Sequence, residues 1–277
     1  MTDTSSALEL KIVTVSESSL LANMTIVMGK TEAALIDVPF TRADAHRLVA
    51  DVLECGRPLK YVYITHDHPD HFMSLEVIAD AFPDAKLIAA PIVVADIWRS
   101  LPFKLKRWGA LLGANGPRRP QVPGAWEAPT FQVDGQDLQI LGPMQGDHVH
   151  ATALYIPAIK ALIAGDLVFD NIYPWLGEHT PAQRKDWLKS LDTLAALRPE
   201  IVVSGHQLPG TAADPAAIRF TRDYVARFDS AATTCRTSDE LAARMREAFP
   251  KARDVLDGFI LVNSAKVGVG EMPPWDE

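Results

Sequence analysis

The chain opens with three short apolar or alternating runs, Leu10 to Val15, Met24 to Met28 and Ala33 to Ile36, separated by polar or glycine-containing turns. Such runs predict strands, and Gly29-Lys30 predicts a hairpin turn between the second and third. The period then changes. Ala45, Leu48, Val49 and Val52 fall three or four apart, Thr41 can act as N-cap, and Cys55-Gly56 ends the pattern, so Thr41 to Leu53 is expected as a helix on the sheet. Tyr61 to Ile64 returns as a buried strand. Ser74 to Phe82 reads as a helix stopped by Pro83, and Lys86 to Ala89 as the next strand.

From Pro91 to Pro129 the pattern degrades. A helix is indicated only around Ile92 to Arg99, followed by a stretch rich in Gly and Pro that carries Trp98, Phe103, Trp108 and Trp126 between its ends. Long connections without clear structure are often lids, so residues 91–130 are expected as a lid insertion with an apolar lining. Two-fold alternation resumes at Phe131 to Val133, Leu138 to Leu141, Thr152 to Ile156 and Ala161 to Ala164. Helices follow at Pro181 to Leu197, Pro215 to Ala231 and Ser238 to Phe249, with a strand at Ile201 to Val203. Strands followed by helices, twice over, imply an α/β protein of two halves packed sheet on sheet with the helices outside. A single domain over 1–277 is expected, with C-terminal helices at 214–250 that either pack on the outer face or form a subunit contact in a homo-oligomer.

Composition narrows the class. At 277 residues and 48% hydrophobic content the chain can bury a large core. No window approaches about 18 uninterrupted apolar residues, which argues against a membrane span. A net charge of -8 disfavours nonspecific attraction to nucleic acid or anionic membranes and leaves a small molecule as the expected partner. The first twenty residues lack a basic start before an apolar run, and Cys55 and Cys235 read as two ordinary reduced thiols. A cytoplasmic protein is therefore expected.

The chemistry concentrates at Thr65-His66-Asp67-His68-Pro69-Asp70-His71, which holds three of the eight histidines directly after a strand. His66 and His68, two apart in an extended segment, share a face and can reach one cation. Asp70 and His71, beyond the turn begun at Pro69, can face a second. Ala164-Gly165-Asp166 and Ser204-Gly205-His206 each follow a later strand, where an acid and an imidazole can add ligands. His46, on the first helix among polar neighbours, is assigned no role.

These segments, THDHPDH, AGD and SGH in that order, resemble the successive metal motifs of the metallo-β-lactamase fold superfamily over roughly Leu10 to Pro209. The resemblance implies a four-layered αββα sandwich of two mixed β-sheets with outer helices. It also implies a binuclear site at one edge of the sheets, usually zinc, with iron or manganese as alternatives. His66, His68, Asp70, His71, Asp166 and His206 map onto its ligands. Relatives place a further histidine about nineteen residues before the Gly-Asp acid, where this chain has Gly146-Asp147-His148-Val149-His150. His148 is taken as that ligand and His150 as an alternative ligand or substrate group.

Two such cations would lower the pKa of a bridging water from about 15.7 to about 7, supplying a hydroxide nucleophile that Asp70 orients and whose proton it carries. The expected activity is metal-dependent hydrolysis of an ester, lactone, thioester or amide in a small organic substrate. Tyr173, His179 and Trp108 are candidate substrate contacts. The alternatives are a mononuclear iron-dependent oxygenase of the same fold and a non-catalytic metal-binding scaffold.

Overall fold

The computed structural model describes residues 8–276. It contains two main sheets. In the first, β1 (Glu9–Thr14), β2 (Asn23–Met28) and β3 (Ala33–Ile36) are antiparallel, and β4 (Leu59–Ile64), β5 (Lys86–Ala89) and β6 (Gly124–Ala125) continue in parallel from β3. Four helices belong to this half: α1 (Arg42–Glu54), the single turn α2 (Pro69–Phe72), α3 (Leu75–Ala81) and α4 (Pro91–Leu112).

The second sheet has the order β12-β10-β9-β8-β7, made from β7 (Thr130–Val133), β8 (Gln136–Met144), β9 (Ala151–Ile156), β10 (Ala161–Ile163) and β12 (Ile201–Val203). The short strands β11 (Phe169–Asp170) and β13 (His206–Gln207) pair in parallel beside it. The helices α5 (Pro181–Ala196), α6 (Ala216–Ala232), α7 (Ser238–Ala248) and α8 (Phe259–Gly268) complete the chain. Among the described residues no helix is long and apolar enough to cross a membrane.

The strand sequences explain the layering. In β4, Tyr61 and Tyr63 join a core cluster shared with Phe131, Leu154 and Ile163 of the second sheet, while Val62 and Ile64 join a cluster with Leu48 of α1 and Ile78 of α3. β10 behaves alike: Ala161 and Ile163 face the first sheet, and Leu162 joins Trp187 and Tyr224 of the other helical layer. Both faces of each strand are dry, so the strands read as continuous apolar runs. Three stacked cores separate four layers, an αββα sandwich.

The segment expected to be mostly loop differs. α4 is one helix of 22 residues that continues through Pro102. Its buried positions, Val93, Asp96, Ile97, Ser100 and Lys104, include three polar residues, which breaks the apolar periodicity that a sequence reading relies on. All three have partners, Asp96 Oδ2 lying 2.6 Å from His150 Nδ1. Ser100 Oγ donates to Asp67 Oδ2 at 2.9 Å, and the Lys104 ammonium donates to the same oxygen at 2.8 Å and to the Asp67 carbonyl. Trp98 and Phe103 point to solvent, 64% and 66% exposed, and Trp126 packs edge-on against Tyr61. Of the four aromatics expected to line a lid, only Trp108 reaches the pocket described below.

Candidate metal centre

Strand ends of both sheets meet at one edge, and the functional side chains lie there. Ile64 ends β4, and Thr65 is fixed immediately after it: its N–H donates to Asp37 Oδ1 and its hydroxyl to Asp37 Oδ2, each at 2.8 Å. Asp37 itself holds φ +62, a strained left-handed backbone for a residue with a Cβ, just past the end of β3. His68 then caps α2, whose first residue is Pro69, and the tight turn swings Asp70 and His71 back toward the same space.

The ring orientation of each histidine follows from its outer nitrogen. Because the Thr65 hydroxyl proton is committed to Asp37, Thr65 Oγ1 accepts from His66 Nδ1–H at 2.9 Å. His68 Nε2 donates to Glu178 at 3.1 Å, His71 Nδ1 to Asp37 Oδ2 at 2.9 Å and His206 Nδ1 to the Leu20 carbonyl at 2.8 Å. In all four rings the outward nitrogen is taken by a hydrogen bond, so the other nitrogen faces inward, where it can ligate a cation once it has lost its proton. This is how metal-binding imidazoles are held.

Three carboxylates share the interior. Asp147 Oδ2 is 2.9 Å from His68 Nδ1, and Asp166 lies 3.2 Å from His71 Nε2 and 3.1 Å from His206 Nε2. Asp166 Oδ2 is also 3.8 Å from His66 Nε2, so this one side chain touches both halves of the cluster. The donor atoms of His66, His68, Asp147 and Asp166 form one group within 4.8 Å of one another, and those of Asp70, His71 and His206 form a second. His71 Nε2 and His206 Nε2 stand only 3.4 Å apart. His66 Nε2, Asp147 Oδ1 and Asp166 Oδ1 are buried with no hydrogen-bond partner. Such groups are costly to leave unpaired, and divalent cations would satisfy them all. The residues present fit a binuclear centre.

Without a cation the cluster retains protons. Burial opposes the charged form of His206, but the Asp166 and Asp70 carboxylates outweigh it and raise its pKa to about 10. His71 is raised for the same reason. Burial, reinforced by Asp166, pushes the Asp147 carboxyl well above its ordinary value. Burial would also raise Glu178, yet the neighbouring His68 holds it down to about 2.

His66, His68, Asp70, His71, Asp166 and His206 are therefore brought together. His148 is not in either group of donor atoms. Its Nδ1 accepts the His150 backbone N–H at 3.2 Å, and its Nε2 lies 3.3 Å from Asp67 Oδ1. The side chain that enters from this segment is Asp147, and counting nineteen residues back from Asp166 arrives at Asp147. His150 binds Asp96 of α4 at 2.6 Å, outside both groups. Tyr173 lines the pocket with its hydroxyl directed at the Phe249 carbonyl, 3.4 Å away. His179 is 1% exposed beside Gln145 and Trp187 and does not line the main pocket.

Above the centre opens a pocket whose floor includes His68, Asp70, Asp147, Asp166 and His206. Its walls are apolar: Phe40, Trp108 and Trp175 from the body of the chain, and Val255, Phe259, Ile260 and Trp275 from the C-terminal segment. Trp175 stacks on Phe259 and meets Trp275 edge-on, and the Arg107 guanidinium lies 3.9 Å above the Trp275 ring. Glycines permit the close approach of the loops below. A Cβ on Gly205 would stand 1.8 Å from Asp166 Oδ1 and 2.7 Å from the Gly165 backbone.

The sequence matches the metallo-beta-lactamase superfamily over residues 20–206. Among solved structures it resembles the metallo-beta-lactamase family protein TTHA1429 from Thermus thermophilus, at 22% identity and TM-score 0.66 over 94% of this chain and 93% of that one. It also resembles the stereoselective inverting sec-alkylsulfatase Pisa1 from Pseudomonas sp., at 18% identity and TM-score 0.64 over 96% of this chain and 49% of that one. The uncharacterized protein YobT of Bacillus subtilis (strain 168) is 33% identical over 66 residues, 24% of this chain and 28% of that protein's length. The family match runs from Leu20, whose carbonyl receives the His206 Nδ1–H, to His206 itself. The chain belongs to the metallo-beta-lactamase superfamily.

Proposed function

We propose that the protein is a metal-dependent hydrolase that cleaves an ester, lactone, thioester or amide bond in a small organic molecule with a substantial apolar part. The observation that carries this reading is the convergence of four imidazoles and three carboxylates at the base of an apolar pocket, whose floor is formed by His68, His206 and the three carboxylates. His66, His68 and Asp147 would hold one divalent ion and Asp70, His71 and His206 another, with Asp166 between them. Zinc is the first candidate, and iron or manganese the alternatives. Ions bound there would acidify water and polarise a carbonyl oxygen.

The chain's own groups supply the rest. Asp70 lies at the pocket floor with Oδ2 3.3 Å from His206 Nε2, placed to orient the attacking water and to carry its proton toward the leaving group. The aromatic walls exclude bulk water and hold the apolar part of the substrate against the reacting bond. Trp108 is one of these walls, and its buried indole N–H has no hydrogen-bond partner among the described residues.

The test is to measure bound metal and the hydrolysis of a lactone, ester and thioester panel before and after chelation. Activity that survives complete metal removal would overturn the reading. A second reading, a mononuclear iron oxygenase, is favoured by one observation: Asp70, His71 and His206 form a two-histidine, one-carboxylate set. About one iron per chain, no zinc and consumption of oxygen would select it.

A further inference from the structure

We propose that Asp147 makes the two halves of the centre chemically alike and thereby narrows its preference for zinc, in favour of harder, oxygen-seeking divalent cations such as manganese. The inference rests on the reading of the cluster as a metal centre. It goes further by assigning the selectivity to one side chain.

Each half has two imidazoles and one carboxylate of its own, His66, His68 and Asp147 against His71, His206 and Asp70, with Asp166 reaching both. Three carboxylates thus face four imidazoles. Asp147 is 1% exposed, its Oδ2 lies on His68 Nδ1, and its Oδ1 is 3.8 Å from His66 Nε2 without a hydrogen-bond partner. An unpaired, fully buried carboxylate oxygen facing an imidazole lone pair marks a place for a cation.

The adjacent imidazole cannot take over without rebuilding the loop. His148 is engaged by the His150 N–H and by Asp67, which is itself held by Lys104 and Ser100. The backbone is fixed as well: Asp147 N–H donates to the Asp166 carbonyl at 3.2 Å, and Gly146 N–H to the His148 carbonyl at 2.9 Å. A Cβ at Gly146 would come within 3.0 Å of the Asp166 carbonyl oxygen, so the segment lies directly against the Asp166 turn. The register that presents Asp147 is built into the fold.

Ligand chemistry gives the consequence. Imidazole suits zinc and iron, whereas carboxylate oxygen also suits manganese and magnesium, and intrinsic affinities rise from manganese through iron to zinc. A carboxylate in place of an imidazole therefore leaves zinc the tighter ion but shrinks its advantage.

The experiment uses full-length protein stripped with chelator and titrated with zinc or manganese against a competing chromophoric chelator, together with Asp147→His, Asp147→Asn and His148→Ala. Asp147→His is expected to raise the zinc-to-manganese affinity ratio by about tenfold or more. Asp147→Asn, which keeps size and removes the charged donor, is expected to lose manganese affinity by a larger factor than zinc affinity. His148→Ala is expected to leave the ratio unchanged. If Asp147→His does not fold, the asparagine variant decides: equal losses for both ions overturn the proposal. A ratio unchanged within about twofold in folded Asp147→His, or a shift of similar size in His148→Ala, also overturns it. Failure of the unmodified protein to bind either ion would instead refute the metal-centre reading beneath it.

Discussion

Lys104→Met should destabilise the protein far more than a single lysine on an outer helix ordinarily would. Lys104 is 1% exposed, and its ammonium bonds both the carbonyl and the carboxylate of Asp67, which is equally buried. Burial alone would raise the Asp67 carboxyl, but the ammonium, with His148 and His68 behind it, holds it far below the usual carboxylate range. Methionine fills similar space and removes the charge, leaving a buried carboxylate with Ser100 and His148 as its remaining partners. Removing one member of a buried pair costs about 3–5 kcal/mol. At roughly 2–4 °C per kcal/mol for a domain approaching this size, the melting temperature should fall by about 6–20 °C. The melt should be recorded in excess chelator, so that ligand-linked stabilisation does not enter. Asp67→Leu combined with Lys104→Met, which replaces the pair by apolar groups, should recover most of the loss. A single-mutant cost below about 1 kcal/mol, the scale of an exposed pair, would refute the reasoning, as would a double mutant no better than the single.

Three further substitutions probe the centre and its pocket. Gly205→Ala puts a methyl 1.8 Å from Asp166 Oδ1 and 2.7 Å from immobile backbone, so it should displace Asp166 and cut metal affinity at least about tenfold, read by chelator competition; unchanged affinity would show that Asp166 does not ligate. Glu178→Gln keeps the shape but weakens the bond that orients His68, and should lower metal affinity about 10–100-fold with the melting curve of the stripped protein little changed. A loss under about twofold would remove Glu178 from the centre. Trp108→Ala takes an aromatic wall from the pocket and should raise KM for long-chain or aromatic esters by about tenfold, roughly 1–2 kcal/mol of apolar contact, while kcat for a short acetate ester stays near its original value. An equal loss on both substrates would place Trp108 in the reaction itself.

The parts legible in the sequence are those whose signal is local. Strands buried on both faces read as unbroken apolar runs, and the Thr41 cap of α1 is where the period changes, with Thr41 Oγ1 accepting from Asp44 N–H as the pattern requires. His66, His68, Asp70 and His71 stand at a strand end within one short turn, so residue type and spacing suffice to bring them together. α4 is illegible beyond Arg99 because Ser100 and Lys104 occupy core positions to serve Asp67, and because Pro102 ordinarily ends a helix. Asp147 is hidden by its neighbour: the imidazole of His148 is the more familiar metal ligand, and only the count of residues to Asp166 distinguishes them. Glu178 meets His68 across 110 positions of chain, and Asp37 meets His71 across 34, contacts that no periodicity encodes. The C-terminal wall of the pocket escapes a sequence reading for the same reason. Val255, Phe259 and Trp275 are ordinary apolar residues until the fold sets them beside Trp175.

The most direct test is the metal stoichiometry of the folded chain, measured by elemental analysis after reconstitution and gel filtration, for the unmodified protein and Asp166→Ala. The donor arrangement predicts about two divalent ions per chain in the unmodified protein and a clear fall below that number when Asp166, which touches both halves, is removed. An unmodified protein that retains no divalent ion at micromolar metal, or an Asp166→Ala variant that retains the full complement with unchanged affinity, would contradict it.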